Sequence, residues 1–162
     1  MDVSSIFHEH GSRLTLYALQ LTAGRAEAEE VVQDVLVTLW RRRVRPSGDL
    51  LPYLYRSVRN EALNRKRSDF RRRRAEAGRA QEAPAFACFS PGTEQDEFRT
   101  RVEEALGSLA PQERELVVLR IWSDLPFRAC AEVLSEAEGT LKSRYQRALD
   151  RLRSSLRPEV EG

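Results

Sequence analysis

The sequence predicts an all-α protein: two small helical domains joined by a flexible linker, the second containing a helix-turn-helix. Three observations predict it. Apolar residues recur at intervals of three and four rather than two through both ends of the chain. That periodicity fades between about Ala75 and Gly92, where Ala, Gly, Glu, Gln and Pro dominate and Pro84, Pro91 and Gly92 punctuate the chain. Near the C-terminus a short helical segment, Phe127 to Leu134, meets a longer one across a tight connection at Ser135 to Ala137. The expected boundaries are residues 1–74 for the first domain, 75–92 for the linker and 93–162 for the second domain.

In the first helix Leu14, Tyr17, Ala18 and Leu21 fall on one face, and Gly24 is the expected C-terminal stop. The second opens with Ala26-Glu27-Ala28-Glu29-Glu30, acids suited to a positive helix N-terminus. Its stripe is Val31, Val32, Val35, Leu36, Leu39 and Trp40, and Pro46-Ser47-Gly48-Asp49 breaks it. A third helix carries Leu51, Leu54, Tyr55, Val58 and Ala62 on one side, with Pro52 tolerated in the first turn. Arg56, Arg59, Asn60, Asn64, Arg65 and Arg67 occupy much of the remainder, and the helix runs into Arg71-Arg72-Arg73-Arg74. Beyond the linker, whose Phe86 and Phe89 are suited to transient docking, spacing returns at Phe98, Val102, Ala105, Leu106 and Leu109. Pro111 then starts a helix with Glu113 in its first turn, and Leu116, Val117, Leu119, Arg120 and Ile121 extend it to Trp122.

The last helix divides into two faces. Leu141, Tyr145, Ala148, Leu149, Leu152 and Leu156 form an apolar stripe. Lys142, Ser143, Gln146 and Arg147 lie together beside it, cationic and hydrogen-bonding, with no carboxylate among them. Taken alone, such a face serves equally as solvated surface or as a contact to the DNA major groove.

Charge distribution separates these readings further. The net charge is only +2, but residues 41–79 carry fourteen basic and four acidic groups, net +10, between acidic flanks. A concentrated cationic block is the electrostatic footprint of a phosphate-facing surface. The basic residues are almost all Arg, with Lys only at Lys66 and Lys142. Cys88 and Cys130 are far apart and make neither a disulfide framework nor a metal-ligand pair; Cys130 reads as a buried thiol. No apolar run approaches the roughly 20 residues needed to span a bilayer, and no secretory signal is evident, so a cytoplasmic protein without membrane insertion is expected. The sole imidazole–carboxylate cluster, His8-Glu9-His10, does not set both His on one helical face and has no further ligand set. Without a phosphate-cradling loop, nucleophile motif or paired carboxylates, the expectation is no enzyme activity, no metal and no cofactor.

Three blocks, in order, carry a family resemblance. They are the run Ala28 to Trp40, the run Tyr53 to Arg65, and Leu109-Ala110-Pro111-Gln112-Glu113-Arg114-Glu115 together with Gly139-Thr140-Leu141-Lys142-Ser143-Arg144. They resemble, respectively, region 2.2, regions 2.3 and 2.4, and region 4 of the extracytoplasmic-function group of bacterial sigma factors, the short two-domain (group IV) members of the sigma-70 family. The resemblance covers nearly the whole chain except the linker. It implies a sigma factor that directs core RNA polymerase to promoter DNA and begins strand opening, with an anti-sigma factor as an expected regulatory partner.

The resemblance also implies residue roles. Gln33 and Asp34, with Glu30 and Arg41 nearby, match positions that bind the polymerase clamp. Arg56, Arg59, Asn60, Asn64, Arg65 and Arg67 match the helix facing the −10 element, where one strand is captured single-stranded. The loop from Arg45 to Leu51 sits where the family captures an extruded base. Lys142, Ser143, Gln146 and Arg147 match the −35 duplex face, Gln suiting adenine and Arg or Lys guanine.

Several positions depart from the family. Ser135, Glu136 and Ala137 stand where Gly, an apolar residue and a Ser or Thr cap are common, and Pro126 and Arg128 replace commoner Ser and acidic residues. Ala is a poor cap, costing about 1 kcal/mol against Ser. Ser135 offers itself as cap instead, with Glu138 completing a capping box and starting the helix earlier. These departures bear on −35 contacts more than on the fold. The alternatives are a helix-turn-helix regulator acting without polymerase, or a degenerate sigma-like protein. A free regulator has no need of a Gln33-Asp34 helix beside an Asn/Arg-rich one.

Overall fold

A computed structural model describes residues 2–75 and 96–157; of Asp96 only the backbone is described. The expected linker, with Phe86, Cys88 and Phe89, lies almost wholly outside the described residues. The chain forms two helical units, and among the described residues there are seven helices and no strand.

The first unit contains α1 (Val3–Leu19), α2 (Arg25–Arg41) and α3 (Leu50–Ala75), each packed on the other two. Asp2 caps α1, its carboxylate accepting from the Ser4 N–H and the Ser5 hydroxyl, both at 3.0 Å. Leu14, Tyr17 and Ala18 from α1, Val31 and Val32 from α2, and Leu54, Tyr55 and Val58 from α3 are almost fully buried. Tyr17 and Tyr55 meet edge to face at 5.3 Å between ring centroids, a geometry that the aromatic quadrupoles favour.

Two expectations change here. α1 stops at Leu19, earlier than anticipated, and Gly24 is the N-cap of α2 rather than the stop of α1. The Thr22 hydroxyl donates to the Ala18 carbonyl at 3.0 Å and the Ala23 N–H to Glu27 Oε2 at 2.9 Å, so this short turn is satisfied from both sides. Trp40, placed in the buried stripe by spacing, is 67% exposed. At about 100° per residue Trp40 lies past the edge of the arc centred on Val32, Val35 and Leu39, on the far side of Leu36. α2 ends in a Schellman motif: the Val44 N–H bonds to the Leu39 carbonyl at 3.2 Å and the Arg43 N–H to that of Trp40 at 3.3 Å. Arg43 takes the left-handed position, φ 48°, where Gly is usual.

Farther along the chain come α4 (Asp96–Gly107), α5 (Pro111–Ile121), α6 (Phe127–Leu134) and α7 (Glu138–Leu156), with α7 packed on α4 and α5. Ala105, Leu106, Leu109, Leu116, Val117, Val118, Leu119, Leu141 and Ala148 are buried. Phe98 lies on the expected stripe of α4 but in its first turn, two turns ahead of Ala105, and is exposed; Ile121, at the last position of α5, is also exposed. Glu113 accepts from the Ala110 N–H at 3.3 Å, supplying a carboxylate to the start of α5 that Ala110 itself cannot.

α6 and α7 form the helix-turn-helix. Ser135 does not cap α7; its φ of 55° makes it the left-handed residue of a Schellman motif ending α6, with the Glu136 N–H bonded to the Ala131 carbonyl at 3.3 Å. α7 therefore starts at Glu138 behind Ala137, which makes no side-chain cap. The reason is geometric: a residue closing the preceding helix in the left-handed region cannot also hold the extended conformation of an N-cap.

Candidate nucleic-acid and polymerase interfaces

The helical advance of α3 places Arg56, Arg59, Asn60, Asn64 and Arg67 within one arc. All are exposed except Arg59, which is half-buried. The face offers amides that can bond base edges and guanidiniums that can hold phosphates.

Arg65 stands apart from that group. It lies on the other side of α3, turned to α2, where three carboxylates engage one guanidinium. Nη1 reaches Glu30 at 3.0 Å, Nη2 pairs with Asp34, and Nε bonds Glu61, one turn back on α3, at 3.2 Å. Partial burial would lower the Arg65 pKa, but the hydrogen bonds to Glu61, Glu30 and Asp34 outweigh it and raise the pKa above its usual value. The sequence grouped Arg65 with the strand-facing residues and Glu30 and Asp34 with a different partner; the fold joins the three. Only the Glu61–Arg65 leg, at i and i+4, was readable from spacing.

On α2, Glu30, Gln33, Asp34 and Arg41 lie along one narrow exposed strip. Val37 sits at its centre and is exposed, a residue the sequence reading passed over. Its signal was present: an apolar side chain three residues after Asp34 and off the buried stripe. Exposed Trp40 borders the strip, and Arg42, Arg43 and Arg45 follow it into the exposed stretch 47–49 of the loop before α3.

In the second unit Lys142, Ser143, Gln146 and Arg147 share an exposed arc of α7. Lys142 stands 3.8 Å from Glu138, and the Gln146 amide donates to Asp150 at 3.3 Å. Among the described residues no hydrogen bond or ion pair engages Ser143 or Arg147, so both are available to a ligand.

Three arrangements set the angle of that helix, and none was legible in the sequence. The Arg120 guanidinium lies 4.3 Å from the Phe127 ring and 5.5 Å from the Tyr145 ring, and the two rings meet edge to face at 5.4 Å. This cation–π cluster joins α5, α6 and α7. Glu136 grips Arg144 with two hydrogen bonds, 2.5 and 2.8 Å, fastening the turn to the second turn of α7. Glu113, already capping α5, takes Arg151 at 3.0 Å. The bond to Glu136 raises the Arg144 pKa; burial opposes it, and Glu136, Glu115 and Glu113 add to it through their charge.

Cys130 is fully buried, and loss of hydration pushes its thiol up to about 11, an inert core thiol rather than a nucleophile. Among the described residues no group of His, Cys, Asp and Glu is placed to hold a metal ion. No helix among them is long and apolar enough to cross a membrane.

Two helical units, one with an Asn/Arg face and the other with a helix-turn-helix, define a DNA-binding protein of transcription. Residues 6–74 match Sigma-70 region 2 and residues 99–152 match Sigma-70, region 4. An RNA polymerase sigma-E factor of Streptomyces avermitilis is 31% identical over 86% of this chain and 76% of its own length. The ECF RNA polymerase sigma factor SigL of Mycobacterium tuberculosis is 28% identical over 94% of this chain and 87% of its own. The sigma factor RpoE of Bartonella quintana, solved in complex with the anti-sigma factor NepR, superposes with a TM-score of 0.66 at 25% identity, covering 98% of this chain and 99% of that one. The chain belongs to the sigma-70 family, in its extracytoplasmic-function group.

Proposed function

We propose that this sigma factor divides promoter recognition between its two units. The strip Glu30, Gln33, Asp34, Val37 and Arg41 on α2 docks on core RNA polymerase. The face Arg56, Arg59, Asn60, Asn64 and Arg67 on α3 takes the −10 element as a single strand, and Lys142, Ser143, Gln146 and Arg147 on α7 read the −35 element as duplex. Arg65 is a positioning residue that holds the strand-facing helix to the polymerase-facing one. The protein works in the cytoplasm, supplies recognition and opening rather than catalysis, and is held in check by an anti-sigma factor, as the Bartonella quintana relative is found with NepR.

The observation that carries this reading is the separation of faces on α3. Arg56, Asn60, Asn64 and Arg67 are exposed on one side while Arg65 anchors the other. A helix-turn-helix regulator acting alone leaves that arrangement without a role. Binding to purified core polymerase, followed by run-off transcription on fragments of the source genome, tests it: promoter-specific transcripts that require the chain are expected. Failure of the folded chain to bind core polymerase overturns it.

A further inference from the structure

Phe70 is 64% exposed on α3, and with Leu63, Lys66, Arg67 and Arg71 it lines a shallow groove with an apolar floor. A phenyl ring left in water at such exposure contributes nothing to the core. By helical advance Leu63 and Phe70 fall on the same face as Asn60, Asn64 and Arg67, with Phe70 about 9 Å along the axis beyond Asn64. No carboxylate shares this face between Leu63 and Arg74: Glu61 is turned to Arg65, and Asp69 lies on the opposite side, paired with Arg72 at 2.6 Å. An aromatic ring flanked by cations at every turn, on a track of about 27 Å from Arg56 to Arg74, suits a linear polyanion with exposed ring faces.

We propose that Phe70 is a stacking platform for an unpaired base of single-stranded DNA, with Lys66, Arg67 and Arg71 holding the adjoining phosphates. This rests on the reading of α3 as the strand-facing helix and extends that face toward its C-terminus. Stacking needs only the π-face of a base, so the subsite tolerates any sequence, whereas Asn60 and Asn64 upstream supply base-edge bonding. An acidic protein helix matches the same charge, but the continuity with those two amides favours nucleic acid.

The test uses the full chain, a fluorescein-labelled oligothymidine of about 20 nucleotides and a duplex of the same length, read by anisotropy at low salt. Phe70→Ala is expected to weaken single-strand binding about tenfold, the loss of one stacked base, and to leave duplex binding within about twofold. Phe70→Trp restores single-strand binding. Because the ring is exposed, thermal melting of both variants stays at the wild-type value. The proposal is overturned if the wild-type chain does not bind oligothymidine, if Phe70→Ala binds like the wild type, if both DNA forms are lost equally, or if Phe70→Trp fails as Phe70→Ala does. A photocrosslinking p-benzoylphenylalanine at position 70 that captures a polypeptide instead of the strand overturns it in favour of a protein partner. Run-off transcription separates the two levels. If the wild type initiates while Phe70→Ala binds oligothymidine normally, only the platform is lost; if the wild type does not initiate, the strand-opening role itself fails.

Discussion

Arg65 of α3 and Asp34 of α2 form an ion pair, and the same guanidinium also holds Glu30 at 3.0 Å and Glu61 at 3.2 Å. Two residues assigned to polymerase docking thus share one cation with the helix assigned to DNA. Exposed single pairs are worth little, but a network around one half-buried guanidinium is worth more. In the proposed division of roles, this network ties the polymerase-docking helix to the strand-capturing one.

Arg65→Ala is expected to cost about 1 kcal/mol, lowering the melting temperature by about 4–8 °C for a unit of this size. Binding of oligothymidine stays near the wild-type value, because the guanidinium lies off the strand-facing arc. Arg65→Lys recovers only part of the stability, since an ammonium cannot reach three carboxylates in a planar fork. Circular dichroism melting beside anisotropy distinguishes this from direct DNA contact, in which affinity falls and stability does not.

Ser135 carries a left-handed backbone at φ 55° where a residue without Cβ meets no penalty. Ser135→Gly is expected to stabilise the helix-turn-helix by about 0.5–1 kcal/mol. Ser135→Val destabilises it, a β-branched residue being the poorest choice there. Chemical denaturation of the variants checks the sign.

Glu136 and Arg144 are joined by two charge-assisted bonds at the helix-turn-helix, with the Arg144 side chain 13% and that of Glu136 37% exposed. A double-mutant cycle with Glu136→Ala and Arg144→Ala is expected to show coupling of about 1 kcal/mol. Glu136→Ala also frees a guanidinium beside Arg147, so duplex binding becomes steeper in salt, by about one unit of slope, while discrimination of the −35 sequence falls. Titrating affinity against salt on specific and unrelated duplexes reads both effects.

Cys130, ordinarily 9.0, is pushed up to about 11 by burial, so the folded protein holds its proton more tightly than the unfolded chain. Between those values the unfolded chain loses the proton first, and stability falls as pH rises. Below 9.0 the contribution is complete, and no loss from this group is expected near neutrality. Iodoacetamide is expected to modify Cys130 only after unfolding, while Cys130→Ala flattens the alkaline decline. Mass spectrometry of alkylated peptides and denaturation across alkaline pH check the two outcomes.

How much of this was legible in the sequence follows from the range of each interaction. The helices, the split into two units and the arc Lys142, Ser143, Gln146 and Arg147 are matters of periodicity, and local spacing carries them. Trp40 is exposed because it lies past the angular edge of the buried arc, and Phe98 because spacing gives direction around a helix but not how far the neighbouring packing extends along it. Arg65 resembles Arg56, Arg59 and Arg67 in composition; contacts 31 and 35 residues away in the chain turn it to α2, and no local pattern encodes them. Ser135 was misread for a related reason. Its residue type suits an N-cap, but closure of the preceding helix claims its backbone first.

The most direct measurement of the central claim is promoter opening by core polymerase loaded with this chain, followed by permanganate reactivity of −10 thymines beside duplex −35 affinity. The account predicts that Arg147→Ala weakens duplex binding and lowers its salt slope by about one unit. It predicts that Asn60→Ala leaves duplex binding intact and suppresses thymine reactivity. If instead both substitutions reduce duplex affinity alike and leave opening per bound complex unchanged, the division of labour between the two units is contradicted.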